Sequence, residues 1–209
     1  MITLYGIPCS RSLRISWILE ELELDWNYQF IDFAKGDNRN PEFLAISPEG
    51  KVPALKDDEL VMTESAAIAY HLAEKYGNGD LLPAPGSDES ALHHQWMSFI
   101  VTELEQPLWT MGKHKFALPE AYRHREFLGV AVFEFDKAAA IAESWMPDSA
   151  FLLGEEISIA DIMLAQTLLW ANRFEQKIPP KLSAYMARMS KRASFTAALN
   201  KELAGAGKA

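Results

Sequence analysis

Four short segments carry residues whose types and spacing could do chemistry. Pro8, Cys9, Ser10, Arg11 and Ser12 fall between a short strand pattern and the start of an amphipathic helix. Ligands of α/β sheets bind outside the carboxyl ends of strands, and a helix N-terminus offers unpaired N–H groups and a positive dipole end to an anion. A thiolate could sit there, although Ser10 or Ser12 could equally cap the helix and Cys9 could pack as a small hydrophobe. Gly50-Lys51-Val52-Pro53-Ala54-Leu55 places a proline at the start of a strand, which implies an edge position or a cis peptide bond. A cis Val52–Pro53 bond would turn the Val52 backbone outward, able to pair with an extended peptide-like ligand. In Thr63-Glu64-Ser65 the serine is expected to cap a helix. Its hydroxyl and the nearby N–H groups would receive a carboxylate and Glu64 an ammonium group, the two ends of an amino-acid zwitterion. In the fourth segment, Ser158 and Asp161 have capping-box spacing, with Ile157 and Ile162 placed for a hydrophobic staple, so Asp161 reads as structural.

The elements that must position these residues alternate in the first third of the chain. Ile2 to Leu4 predict a strand broken by Gly6 and Pro8. From about Ser12, Ile15, Ile18, Leu19 and Leu22 form one helical stripe, with Arg14, Glu20, Glu21 and Glu23 on the other side. Trp26, Tyr28 and Phe30 alternate with Asn27 and Gln29 as a second strand, and a crossover of this length favours a parallel pair. Val52–Leu55 and Leu60–Met62 predict a hairpin through Asp57-Asp58, followed by a helix carrying Ile68, Leu72 and Tyr76. A mixed four-stranded sheet with helices follows for residues 1–78, with a Gly/Pro-rich linker at 79–89. Residues 90–209 predict an all-α bundle, with helices over 91–111, 119–145, 158–172, 181–189 and 195–203, and Pro107 ending or kinking the first.

Composition excludes several classes of function. The 209 residues carry 20 basic and 29 acidic side chains, a formal charge of −9, so nucleic acid and anionic membrane surfaces are unexpected partners. One cysteine cannot form an internal disulfide, and five dispersed histidines do not suggest a metal site. The start MITLYGIPCS lacks a charged lead into an apolar run, and no apolar stretch approaches the roughly 18 residues of a membrane span. A reducing cytoplasmic setting is the expectation.

In order and spacing these segments resemble the cytosolic glutathione transferase superfamily, with the bacterial and fungal serine-type members as the nearest likeness. The passages SRSLRISWILEELELDW, NPEFLAISPEGKVPALKDDELVMTESAAIAYHLAEKYG and FLLGEEISIADIMLAQTLLW carry the resemblance over nearly the whole chain. It implies an α+β first domain of thioredoxin-like fold, an all-helical second domain, a homodimer and glutathione as co-substrate, with no metal. It further implies that Val52 and Pro53 pair with the cysteinyl unit of glutathione and that Glu64 and Ser65 hold its γ-glutamyl end. Arg39 and Lys51 fall where relatives contact the glycyl end or the thiol side. The residue facing the sulfur is Ser10 when matched on the nearest serine and Arg14, and Cys9 when aligned on the following helix. Ser10 would stabilise a thiolate by donating to it, lowering a thiol pKa from about 8.5 toward neutrality. Cys9, in a Cys-x-x-Ser pattern, would instead support thiol–disulfide exchange. Tyr5 reads as a strand residue. Trp109, Met111, His114 and Phe116 are the expected wall of a pocket for a small hydrophobic electrophile, between the domains. The implied activity is conjugation, with a disulfide reductase or a non-catalytic carrier on the same scaffold as alternatives.

Overall fold

In the computed structural model, which describes residues 1–207, the alternation in the first third folds as a mixed four-stranded sheet. β1 (Ile2–Gly6) and β2 (Trp26–Phe30) are parallel, with Ile2 opposite Trp26 and Gly6 opposite Phe30, and α1 (Ser12–Glu21) is their crossover. The connection after β2 contains the short helix α2 (Pro41–Leu44). β3 (Ala54–Asp57) runs antiparallel to β1 and β4 (Leu60–Thr63) antiparallel to β3, giving the order β2-β1-β3-β4. α3 (Ser65–Tyr76) closes this part of the chain. β3 starts two residues later than the hydrophobic pattern predicts, because Pro53 has no N–H to give to a ladder.

α1 departs most from its expected environment. Every residue from Ser12 to Leu19 is buried, and Arg14, expected on a polar outer face with the glutamates, is only 1% exposed. The sheet covers one side of α1, while α3 and α9 (Ala193–Ala206) cover others. α9 runs antiparallel to α1. At the end of α1, Arg192 forks onto Glu21 through two bonds of 2.6 and 2.8 Å, and Ser194 donates to the same carboxylate. Trp17 donates to Glu21 and packs edge-on against Phe195 at 4.9 Å. Two compact units result, Met1–Leu82 joined by the chain from Met189, and Pro83–Arg188. The terminal helix, expected in the helical domain, therefore belongs with the sheet.

The second unit is helical, with α4 (Asp88–Phe99), α5 (Glu105–Gly112), α6 (Phe127–Trp145), α7 (Ile159–Arg173) and most of α8 (Pro180–Met189). Ser87 caps α4, accepting the Ser90 N–H. The predicted break at Pro107 takes the form of a π-turn at Ile100–Leu104, directly before α5. Widening the helix there accommodates a proline ring that would otherwise meet the carbonyl one turn back. α6 starts well after the predicted position 119. Arg123 ties down the carbonyls of Phe116 and Leu118, at 2.9 and 2.6 Å, and a 3-10 turn occupies Glu120–Tyr122. The capping box at α7 forms as expected. The buried Asp161 carboxylate accepts from the Ser158 N–H and hydroxyl, the Leu152 N–H and the Tyr185 hydroxyl, and burial still pushes its carboxyl above the ordinary range. Among the described residues, no helix is long and apolar enough to cross a membrane.

Asp57 was expected in a turn, but the reversal falls on Asp58, which takes φ 53°, and Asp57 is a buried residue of β3. Its carboxylate receives His71 Nε2, Lys75 Nζ and the Tyr76 hydroxyl at 2.8, 2.7 and 2.7 Å. Burial works against ionisation, yet these three donors outweigh it and hold the carboxyl down to about 2. A depressed pKa stabilises the fold above the unfolded value near 3.9 and loses that contribution as pH falls through the folded value. Urea unfolding followed by circular dichroism should therefore show about 2 kcal/mol of stability lost between pH about 4 and 2. Asp57→Asn should remove this step.

Candidate functional site

Strand register brings the chemical segments to one edge of the sheet. Tyr5 near the end of β1 pairs with Ala54 at the start of β3, and Ala54 pairs with Thr63 at the end of β4. The β1–α1 turn, Val52–Pro53 and Glu64–Ser65 thus leave the sheet at the same edge, as does the connection after Phe30, which pairs with Gly6. This is the carboxyl end of the parallel pair, where a crossover helix also presents its N-terminus.

In the β1–α1 turn Cys9 is half-buried with φ 64°, and its N–H donates to Glu202 Oε2 at 3.1 Å. Neither serine holds the cap position of α1, which falls on Arg11. Ser10 does the equivalent work from one residue upstream, its Oγ accepting the Ser12 N–H at 3.1 Å and lying 3.0 Å from Ser12 Oγ. Beneath the turn, Glu202 Oε1 lies 3.1 Å from Ser12 Oγ and accepts from Ser16 Oγ at 2.8 Å. Burial pushes the Glu202 carboxyl up to about 7, against the lowering effect of Ser16, the Cys9 N–H and Ser12. Nothing in the expected site included Glu202. The available signal was its spacing, since it shares the buried stripe of α9 with Phe195 and Ala198.

The Val52–Pro53 bond is cis and lies just outside the β1–β3 ladder. Val52, Ile46 and Tyr5 pack on the buried cluster of Ile31, Phe43 and Ala54, which confirms Tyr5 as a strand residue, with its ring 6.1 Å from that of Phe43. Arg39 and Lys51 are both exposed, and Lys51 pairs with Glu49 at 2.6 Å. Their loops are stitched together, Asn38 donating to the Gly50 carbonyl at 3.1 Å and Ser47 to the Lys51 carbonyl at 2.9 Å. Arg39 is thereby held beside Gly50 and next to Val52's loop.

At α3 the cap position belongs to Glu64 rather than Ser65, which is the first helical residue. Glu64 is exposed in an uncommon conformation, φ 67° and ψ 104°, of a kind that costs on the order of 1–3 kcal/mol and concentrates at functional sites. Ser65 is buried, and its Oγ accepts from the Arg14 guanidinium at 3.1 Å. A helix N-terminus with a buried cation behind it and a carboxylate in front matches the two ends of a zwitterion.

Of the residues expected to meet an electrophile, Trp109 and His114 are half-buried and Phe116 is 58% exposed. His114 stacks on Phe127 at 5.0 Å and accepts the His124 N–H at Nδ1. Phe116 lies edge-on to Phe174. Met111 departs from the expected wall, because at 1% exposure it fills the helical unit's interior and offers a ligand no surface.

Comparison with known proteins bears on the family and the fold. The family model of the glutathione S-transferase N-terminal domain matches residues 1–74, and that of the C-terminal domain matches residues 107–193. Glutathione S-transferase 3 of Zea mays is 32% identical over 76% of this chain and 72% of its own. The disulfide-bond oxidoreductase YfcG of Escherichia coli K12 is 33% identical over 78% of this chain and 76% of its own. Among solved structures, a glutathione transferase from Methylococcus capsulatus superposes with a TM-score of 0.84 at 27% identity, covering 97% of this chain and 98% of that one. A Sulfitobacter homologue with bound glutathione gives a TM-score of 0.83 at 26% identity, covering 96% of this chain and 98% of that one.

Gly50 holds the edge-loop geometry together. Its φ is 64°, and an added Cβ would lie 2.6 Å from the Asn38 carbonyl oxygen and 3.2 Å from an Arg39 guanidinium nitrogen. Gly50→Ala should therefore lower stability in urea unfolding by about 1–3 kcal/mol, and disturb Arg39 and Lys51 together.

Proposed function

Because the chain belongs to the glutathione S-transferase superfamily, we propose that it binds glutathione at this sheet edge and delivers the thiolate to small hydrophobic electrophiles. One observation carries the reading: the register Tyr5–Ala54–Thr63 gathers the Ser10 turn, the Val52 backbone and the Glu64–Ser65 helix start at one edge. Ser65 and the first N–H groups of α3 receive the γ-glutamyl carboxylate, with Arg14 behind them, and Glu64 receives the ammonium group. Val52 pairs through its backbone with the cysteinyl unit, and Pro53 sets that backbone's direction. Arg39 and Lys51 face the glycyl carboxylate. Ser10 donates to the sulfur and, with the N-terminus of α1, favours its ionised form. The thiolate electron pair then forms the carbon–sulfur bond, while the electrophile's leaving group departs with its own pair, or an activated double bond takes up a proton. Trp109, His114 and Phe116 provide aromatic surface for the electrophile. A cytoplasmic homodimer that needs no metal fits the family.

A second reading has support of its own. Cys9 occupies the same turn, and the relative from Escherichia coli at 33% identity is named a disulfide-bond oxidoreductase. In that case Cys9 attacks a disulfide sulfur, displacing a thiolate, and glutathione resolves the mixed disulfide. A carrier that binds glutathione without ionising it completes the alternatives.

A pH titration of the ultraviolet thiolate absorbance of bound glutathione separates the three. The native protein and Cys9→Ala should show a depressed thiol pKa, whereas Ser10→Ala should lose it and conjugate about 10- to 100-fold more slowly. Unchanged conjugation in Ser10→Ala would sink the serine assignment. A signal that depends on Cys9 transfers the function to disulfide chemistry, and binding with no thiolate in any form leaves a carrier.

A further inference from the structure

Glu202 is fully buried at a position that the apolar stripe of α9 would give to an alanine or leucine. A carboxyl group is expensive there unless hydrogen-bonded, and among the described residues its bonds go to a single turn and the helix that follows it. Oε2 receives the Cys9 N–H, while Oε1 meets the Ser12 and Ser16 hydroxyls. Ser12 Oγ is in turn 3.0 Å from Ser10 Oγ and 2.9 Å from the Ile7 carbonyl. Cys9 holds φ 64°, a left-handed conformation that a side-chain-bearing residue keeps only when its surroundings impose it. The carboxyl of α9 is the group that binds its N–H.

We propose that Glu202 is a positioning residue for the turn Pro8–Ser12, fixing the Cys9 backbone and the Ser12 hydroxyl so that the group facing the sulfur is presented at a set angle. This rests on the reading of that turn as the sulfur site. A carboxylate accepts all three bonds, whereas a protonated carboxyl loses acceptor strength toward the Cys9 N–H and brings a proton that competes for Ser12. With burial raising its pKa to about 7, Glu202 changes state near neutrality, and the grip on the turn weakens as pH falls. Among the described residues, the titratable groups near it are Cys9 itself and Tyr28 of β2, whose hydroxyl is kept protonated by burial and by the fields of Glu202 and Cys9. Among the described residues, Arg14 is engaged on Ser65, and Lys201 lies over the Trp26 ring and toward Glu20.

Glu202→Gln keeps the shape and an acceptor but never ionises, so it stands for the protonated carboxyl at every pH. Cys9 is the lone cysteine, and its alkylation by iodoacetamide reads the turn with no glutathione present. The variant should alkylate about 5-fold faster than the native protein at pH 8 and within about twofold of it at pH 6. For conjugation, kcat should fall about 10-fold at pH 8 and converge at pH 6, while KM for glutathione stays within about twofold, since its main contacts lie on other loops. A ratio of native to variant that is flat with pH, in either experiment, overturns the proposal, because a merely structural loss would be the same at both. Should Glu202→Gln fail to fold, Ser16→Ala removes one donor to the carboxylate and should raise by about half a pH unit the midpoint at which the Cys9 amide proton resonance shifts as Glu202 ionises, read by NMR. An unmoved midpoint overturns the proposal. If the native protein neither binds nor conjugates glutathione, the functional reading fails, and the alkylation comparison still decides the role of Glu202.

Discussion

A helix buried on all sides cannot leave a polar side chain to water, and α1 is such a helix from Ser12 to Leu19. Ser12, Arg14 and Ser16 lie on it without solvent exposure, so each must find a partner inside the protein. Arg14 finds Ser65 at the start of α3, while Ser12 and Ser16 find Glu202 on α9. These bonds couple α3 and α9 to the helix they both pack on. The far end of α1 is tied in the same way, through Glu21 to Arg192 and Ser194. Leaving any of these groups unpaired would cost on the order of 1–3 kcal/mol, more for the charged ones, which makes the docking of α9 and α3 interdependent.

That interdependence bears on the candidate site. The turn proposed to face the sulfur and the helix start proposed to receive the γ-glutamyl carboxylate are both anchored to α1, one by sequence continuity and one through Arg14. A rigid arrangement of this kind suits a reaction that needs alignment and charge stabilisation more than a strong base. Uncommon backbone conformations at Cys9 and Glu64 fall in the same two places. Their presence where ligand contacts are proposed fits the tendency of strained residues to gather at working sites and to be held there by well-determined surroundings.

The helical unit follows a simpler logic. Asp161 gathers the Ser158 cap, the Leu152 backbone and Tyr185 of α8 around one buried carboxylate, and Glu143 of α6 receives the Lys181 and Leu182 N–H groups at the start of α8. Acidic side chains are thus used here to join helix starts to their neighbours. Pro107 remains within a nearly continuous helical run because the preceding π-turn takes up the misfit.

Much of this was legible from residues 1–209 alone. Period-two alternation at Trp26–Phe30, the turn residues before Ser12, the proline after Val52 and the Ser158–Asp161 spacing are local signals, and each predicted its element within a few residues. Their order along the chain was enough to suggest the family. Other features followed from packing and had no local signature. Arg14 reads as a surface residue until α3 and α9 cover it, and Asp57 reads as a turn until three donors from α3 converge on its carboxylate. Met111 reads as adaptable pocket lining until the helical unit closes over it. Glu202 reads as one acid in a small-residue helix until that helix docks under the β1–α1 turn. Backbone preference and hydrophobic period act over a few residues and so can be read from the chain. The environment of a polar group depends on what else is buried beside it, which is decided only when distant segments pack together.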